Sequence, residues 1–184
     1  MISITPLIEF TDEDWRRIVT GYTSAGRYRV LWRDDTEKTS FSLEYVPLSP
    51  PYVKRYDFPD EDTLGHYRQA LKDGFSFGAY EDSSLIGLLI AEPQRWNHSL
   101  WVWEFHVAEG FRGQGIGKNL MEQAVSLARS AGLRVVVCET QNTNVPAIRA
   151  YRALGFRMEG VDISYYTNQD YPDGEVALFM KRRL

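Results

Sequence analysis

The chain predicts a mixed α/β fold, a β-sheet flanked by helices, from three observations. Short aromatic and β-branched runs alternate with stretches whose apolar residues recur at helical spacing. A glycine-rich run, Phe111-Arg112-Gly113-Gln114-Gly115-Ile116-Gly117-Lys118, links a strand candidate to a helix candidate. The apolar run at 133–140 reads as a buried parallel strand.

Taken in order, residues 12–20 read as a short helix, and 27–33 and 40–46 as two strands around the polar turn 34–38. Ser49-Pro50-Pro51 is expected to break the chain. Residues 60–72 read as a helix begun by Asp60 or Asp62 and ended by Gly74. Residues 75–81 and 85–93 form a hairpin across Asp82-Ser83-Ser84. At 100–107 a strand follows, and period two puts Glu104 and His106 on one face, Phe105 and Val107 on the other. Leu120, Met121, Ala124, Leu127, Ala128 and Ala131 give the helix at 115–131 one apolar face. After the strand at 133–140 comes a helix at 145–153, with Asn144 as N-cap, Pro146 in its first turn and Gly155 as its stop. Two last strands, about 156–166 and 175–181, flank a turn at 167–174. No repeat or linker appears, so residues 1–184 are expected to form one domain.

Composition narrows the function. The net charge is −4, and no basic stripe appears apart from Lys181-Arg182-Arg183, which argues against a nucleic-acid partner. No apolar run approaches the ~20 residues of a membrane span. The first residues lack a basic region followed by an apolar stretch, so no secretory signal is expected. The single Cys138 lies in an apolar strand and reads as a small core residue. Together these suggest a cytoplasmic enzyme. Three histidines (66, 98 and 106) and one cysteine, far apart, give no zinc spacing, so no metal is expected. An acidic balance suits a cationic small molecule through steering.

The glycine run carries the chemistry. Glycines at a helix start free backbone N–H groups to face a multiply charged anion. A Walker A loop would need glycine where Arg112 stands and Ser or Thr where Asn119 stands. The dinucleotide fingerprint would need glycine at Lys118 or at Leu120. Both fail. By itself, the run also reads as an ordinary strand-to-helix turn.

The remaining Arg-x-x-Gly-x-Gly resembles the acetyl-coenzyme A pyrophosphate loop of the GNAT N-acetyltransferases. Asn144-x-x-Ala147-x-x-x-Tyr151 followed by Gly155-Phe156 is similar to a second motif of that family. The likeness covers roughly residues 75–181. Glu139-Thr140-Gln141-x-x-Asn144, Val161-Asp162 and Tyr166 are similar to its streptothricin acetyltransferase branch, with a fainter echo in Ser49–Tyr56. The resemblance implies a GNAT-like sheet, centrally splayed, and acetyl-CoA as co-substrate. It implies that Arg112, Gly113, Gln114, Gly115, Ile116, Gly117 and Lys118 hold the diphosphate. The backbone near Phe105, His106 and Val107 would hold the pantetheine arm, with Asn144 contacting it and Ala147 part of the same motif. Tyr151 would meet the coenzyme sulfur, although alone it reads as a half-buried helix tyrosine.

Acetyl transfer to an amine needs a neutral nucleophile, a stabilised oxyanion and a protonated leaving thiolate. An alkylamine titrates near ~10, so its ammonium must lose a proton. Glu104 is the first candidate base, with His106 or a water as alternatives; Glu104 as a plain binder of substrate charge is a further reading. A backbone N–H near Val107 would hold the oxyanion. Trp103, Glu104, Asp162, Tyr165 and Tyr166 are acceptor-site candidates, because carboxylate and aromatic groups bind ammonium. Taken singly, each favours the plainer reading: Trp103 as core, Asp162 as a turn former and the tyrosines as strand surface. The expected function is acetylation of a small cationic amine, possibly a streptothricin-type antibiotic. Acetylation of a protein N-terminus or lysine, and a non-catalytic acyl-CoA sensor, are the alternatives. Relatives commonly dimerise, so a homodimer is an expectation.

Overall fold

In the computed structural model, which describes residues 1–184, the chain runs β1 (Ile2–Pro6), α1 (Asp12–Ile18), β2 (Tyr22–Asp34), β3 (Thr39–Lys54) and α2 (Glu61–Leu71). Then come β4 (Phe77–Glu81), β5 (Ser84–Gln94), β6 (Ser99–Val107) and α3 (Ile116–Ser130). The chain ends with β7 (Val135–Gln141), α4 (Val145–Ala153), β8 (Arg157–Asp162) and β9 (Ala177–Arg183). These elements divide into two units. The first holds Met1–Thr20, Arg55–Cys138 and Arg182–Leu184; the second holds Gly21–Lys54 and Glu139–Lys181.

In the first unit the strand order is β1-β4-β5-β6-β7. Helices start where side chains satisfy their free amides. Thr11 and Asp14 form a reciprocal capping box on α1. Asp60, rather than Asp62, caps α2 by accepting the Thr63 amide at 2.8 Å. The β4–β5 turn is tighter than expected: Glu81 pairs with Ser84, so only Asp82 and Ser83 turn, both at positive φ. β1 was not anticipated. It is a short edge strand on β4 with mostly exposed residues, so no burial pattern marks it.

β5 is the centre of this unit, with Leu85 through Ala91 buried. On one side it meets Trp15, Ile18 and Val19 from α1 and its C-terminal edge, and Tyr67, Ala70 and Leu71 from α2. α3 buries Ile116, Leu120, Met121, Ala124, Val125 and Ala128. Val125 takes a core place that the sequence reading gave to Leu127 and Ala131. Leu127 is half-buried, and Ala131 is the exposed C-cap of the helix.

β6 and β7 are parallel from Ser99↔Val135 to Val102↔Cys138. Beyond Val102 that register ends, while β6 continues along β5 to Val107↔Gly87. The sheet is mixed and opens here, as the GNAT resemblance implied.

In the second unit β2 and β3 form a long antiparallel pair, and β7-β9-β8 lie side by side. Ser49-Pro50-Pro51 does not break the chain; β3 runs through it. The register shifts from Gly26↔Pro47 to Ser24↔Tyr52, so both prolines fall in the irregular stretch, where no ladder donor is required. β8 ends at Asp162 rather than near 166, because Asp162 accepts the Ser164 amide and turns the chain.

The same unit contains a carboxylate held by four side chains. Glu175 accepts from Tyr22, Tyr52 and Thr143 and pairs with Lys54. Burial opposes its ionisation, but Lys54 and Thr143 outweigh that and hold the carboxyl below its ordinary value of 4.5. A depressed carboxyl stabilises the fold above its unfolded value, and that contribution disappears as pH falls through the folded one. Glu175→Gln should therefore destabilise the protein near pH 7, with the gap to wild type narrowing below pH 4.5 in urea titrations at several pH values. Leu120→Ala, which empties a fully buried site on α3, should cost about 3 kcal/mol, read as a lower urea midpoint at constant slope.

Candidate active site

β6 carries one residue more than β5 at the site. Ile90 pairs with Glu104 and Ala91 with Val102, so Trp103 is the extra residue of a bulge. Strict alternation is lost there, and consecutive side chains both reach α2. The Trp103 ring meets His66 edge to face at 4.8 Å, and its Nε1–H donates to Glu92 at 3.0 Å. Glu104 accepts the Tyr67 hydroxyl on Oε1 at 2.6 Å. At 37% exposure Trp103 is a surface wall and not core.

Past the bulge, alternation resumes. Glu104 Oε2 lies 2.7 Å from His106 Nε2, as expected for two residues on one face. The His106 ring packs edge to face on Tyr56 at 5.7 Å. Tyr67 stacks on Trp15 at 5.5 Å, and burial together with the Glu104 charge pushes its hydroxyl well above the ordinary tyrosine value. Tyr67 therefore stays a proton donor to Glu104 through the neutral range. Phe105 and Val107 face the other way, against Gly117 of α3: a Cβ there would lie 3.2 Å from Phe105 Cζ.

The loop after β6 is braced by its own side chains. Ala108 donates to Ile86 O, a single 3-10 turn spans Glu109–Phe111, and Gln114 Nε2 donates to Gly110 O. Arg112 Nε donates to Val107 O at 2.9 Å, so Arg112 ties the loop to the end of β6. Gly113 and Gly115 sit at φ +78° and +83°, where other residues are strained. The ladder of α3 begins with Asn119 N–H donating to Gly115 O. The amides of Ile116, Gly117 and Lys118 thus project from the positive end of a four-turn helix. Such a cradle fits a diphosphate. No group of three or more His, Cys, Asp or Glu side chains is placed to hold a metal ion.

The other sequence-selected residues belong to the second unit. Asn144 caps α4 by accepting the Ala147 amide at 3.2 Å, with Pro146 in the first turn. Tyr151 is buried on α4 with its ring near Phe156. Asp162 spends an oxygen on the Ser164 amide. Tyr165 packs edge to face on both Tyr166 and Phe179, and Tyr166 donates its hydroxyl to Glu139. Burial, then the Glu139 charge, pushes the Tyr166 hydroxyl far above its ordinary value.

The structure thus joins Trp103, Glu104 and His106 in the first unit, and Tyr165 with Tyr166 in the second. Sequence reasoning missed Tyr67, Tyr56, His66 and Glu92. Tyr67 was readable as a core position from its spacing with Leu64 and Leu71, but its partner was not.

Residues 32–156 match the Acetyltransferase (GNAT) family. The chain belongs to that family. This GNAT protein is an acetyl-CoA-dependent N-acetyltransferase, and its projecting α3 amides suit that co-substrate. It is 37% identical over 150 residues to a streptothricin acetyltransferase of Streptomyces lavendulae, spanning 79% of this chain and 78% of that one. With streptothricin acetyltransferase A of Bacillus subtilis (strain 168) the identity is 29% over 133 residues, 72% and 73% of the two chains. The crystal structure of nourseothricin acetyltransferase aligns over 99% of this chain and 98% of its own, with a TM-score of 0.78 and 31% identity.

A Cβ at Gly115 would meet nothing within 4 Å, so Gly115→Val does not act by crowding the loop. The substitution acts through φ instead, swinging the neighbouring amides away from their present direction. Gly115→Val should weaken acetyl-CoA binding about tenfold, or ~1.4 kcal/mol, in calorimetry, with the far-UV spectrum unchanged.

Proposed function

We propose that this acetyltransferase moves the acetyl group of acetyl-CoA onto a primary amine of a small cationic molecule of the streptothricin type. The observation that carries the proposal is the half-buried Glu104 carboxylate on β6, ionisable and fixed at both oxygens. Likeness to two streptothricin acetyltransferases supports the acceptor class.

In this reading the amides of the 112–118 loop bind the diphosphate, and the backbone of Phe105, His106 and Val107 binds the pantetheine arm. Asn144 and Ala147 serve the same arm from α4. Glu104 removes a proton from the acceptor ammonium, and the freed lone pair attacks the thioester carbonyl. The oxyanion is held by the N–H near Val107, a kind of donor worth ~3 kcal/mol when preorganised. On collapse, the C–S bond breaks, Tyr151 gives its hydroxyl proton to the departing thiolate, and the extra proton on the new amide nitrogen leaves to solvent, which also restores the Tyr151 hydroxyl and the Glu104 carboxylate. Trp103 of the first unit and Asp162, Tyr165 and Tyr166 of the second are the acceptor-binding candidates, since aromatic faces and carboxylates attract an ammonium. The buried thiol of Cys138 and the need for acetyl-CoA support action in the cytoplasm.

Coenzyme A release, followed with a thiol reagent over a panel of streptothricin, simple amines and peptides, tests the reading. Release with streptothricin supports it. Release with peptides alone favours protein acetylation, and binding without release favours a sensor. Tyr151→Phe should lower kcat about 100-fold, the low end for a lost general acid, while the acetyl-CoA dissociation constant stays within about twofold. Unchanged turnover would remove the role given to Tyr151.

A further inference from the structure

Two groups touch the Glu104 carboxylate, and they are not alike. Tyr67 reaches Oε1 from α2, and His106 reaches Oε2 from β6. The Tyr67 ring is buried, held flat against Trp15 and part of the cluster that packs α1 and α2 on β5. A hydroxyl on such a ring has little freedom to move. The His106 imidazole rests on Tyr56, in a segment outside any helix or strand. Glu104 itself stands next to the bulge, where backbone pairing is least regular. A carboxylate there needs an anchor on the rigid part of the unit.

We propose that Tyr67 is a positioning residue of the transfer reaction: its hydroxyl fixes the Glu104 carboxylate in the orientation that also engages His106. The inference rests on Glu104 acting as the base. With one oxygen pinned from α2 and the other from β6, rotation about the last torsion of Glu104 is stopped, and the remaining lone pairs hold one direction. The groups facing this pair are Tyr67 and His106 on Glu104, Tyr56 on His106, and Asp60, whose charge acts on Tyr67. His66 and Glu92 lie one residue away, around Trp103.

Tyr67→Phe keeps the stacked ring and removes only the donor. With the panel's fastest acceptor, its kcat should fall about tenfold while KM for acetyl-CoA stays within about twofold. The loss should persist when kcat is counted per folded molecule, and should lie in kcat rather than in KM. A purely structural role would lower the urea midpoint and leave kcat per folded molecule in place, and an unchanged kcat overturns the proposal. Glu104→Gln is the control. If wild type turns over no acceptor, or Glu104→Gln turns over like wild type, the reading of Glu104 as base fails and this role with it. If Glu104→Gln is slow and Tyr67→Phe is not, the positioning role alone is overturned.

Discussion

Opposite the pair Ile90 and Ala91 of β5, strand β6 has to fit Val102, Trp103 and Glu104. That extra residue governs the polar face of the first unit. In a regular strand Trp103 and Glu104 would face opposite ways, and one of them would meet the α3 side. The bulge lets both reach α2 while Phe105 and Val107 still close on Gly117. It also coincides with the end of the β6–β7 register at Val102↔Cys138. One local irregularity therefore separates a polar face, bearing carboxylate and imidazole, from an apolar face that supports the glycine loop.

The glycine loop depends on that apolar face. Gly117 can sit against Phe105 only because it lacks a side chain, and this contact brings the start of α3 close to the end of β6. Arg112 draws the loop onto Val107 O, and Gly113 and Gly115 supply the left-handed turns that leave three amides projecting. The helix is anchored by side chains such as Leu120 and Met121 that are wholly buried. Rigidity here matters for transfer chemistry, since a thioester held in one place turns an encounter between two molecules into a local reaction.

The second unit shows the same use of fixed polar groups. Glu175 gathers Tyr22, Tyr52, Lys54 and Thr143, joining β2 and β3 to the segment before α4. Asn142 adds backbone links, taking the Tyr28 amide on its carbonyl and giving its side-chain N–H to Tyr28 O. Buried polar groups of this kind are stable only when each finds its partner, so they set the position of the chain that leads into Asn144 and α4.

Much of this was legible in the residues alone. The helix start at Asn144, that of α2 to within Asp60 or Asp62, the stops at Gly74 and Gly155, and the loop from Arg112 to Lys118 were readable, because each depends on neighbours within a few positions. The facing of Glu104 with His106 came from period two for the same reason. What could not be read depends on contacts between distant segments. The passage of β3 through two prolines required a shifted partner strand, and β1 required the edge of β4. The bulge at Trp103 exists only against β5, and Tyr67 meets Glu104 only once α2 has packed on the sheet, 37 residues away in sequence. Local conformational preference is written in consecutive residues; which side chain completes a carboxylate is decided by packing, and packing is a property of the whole fold.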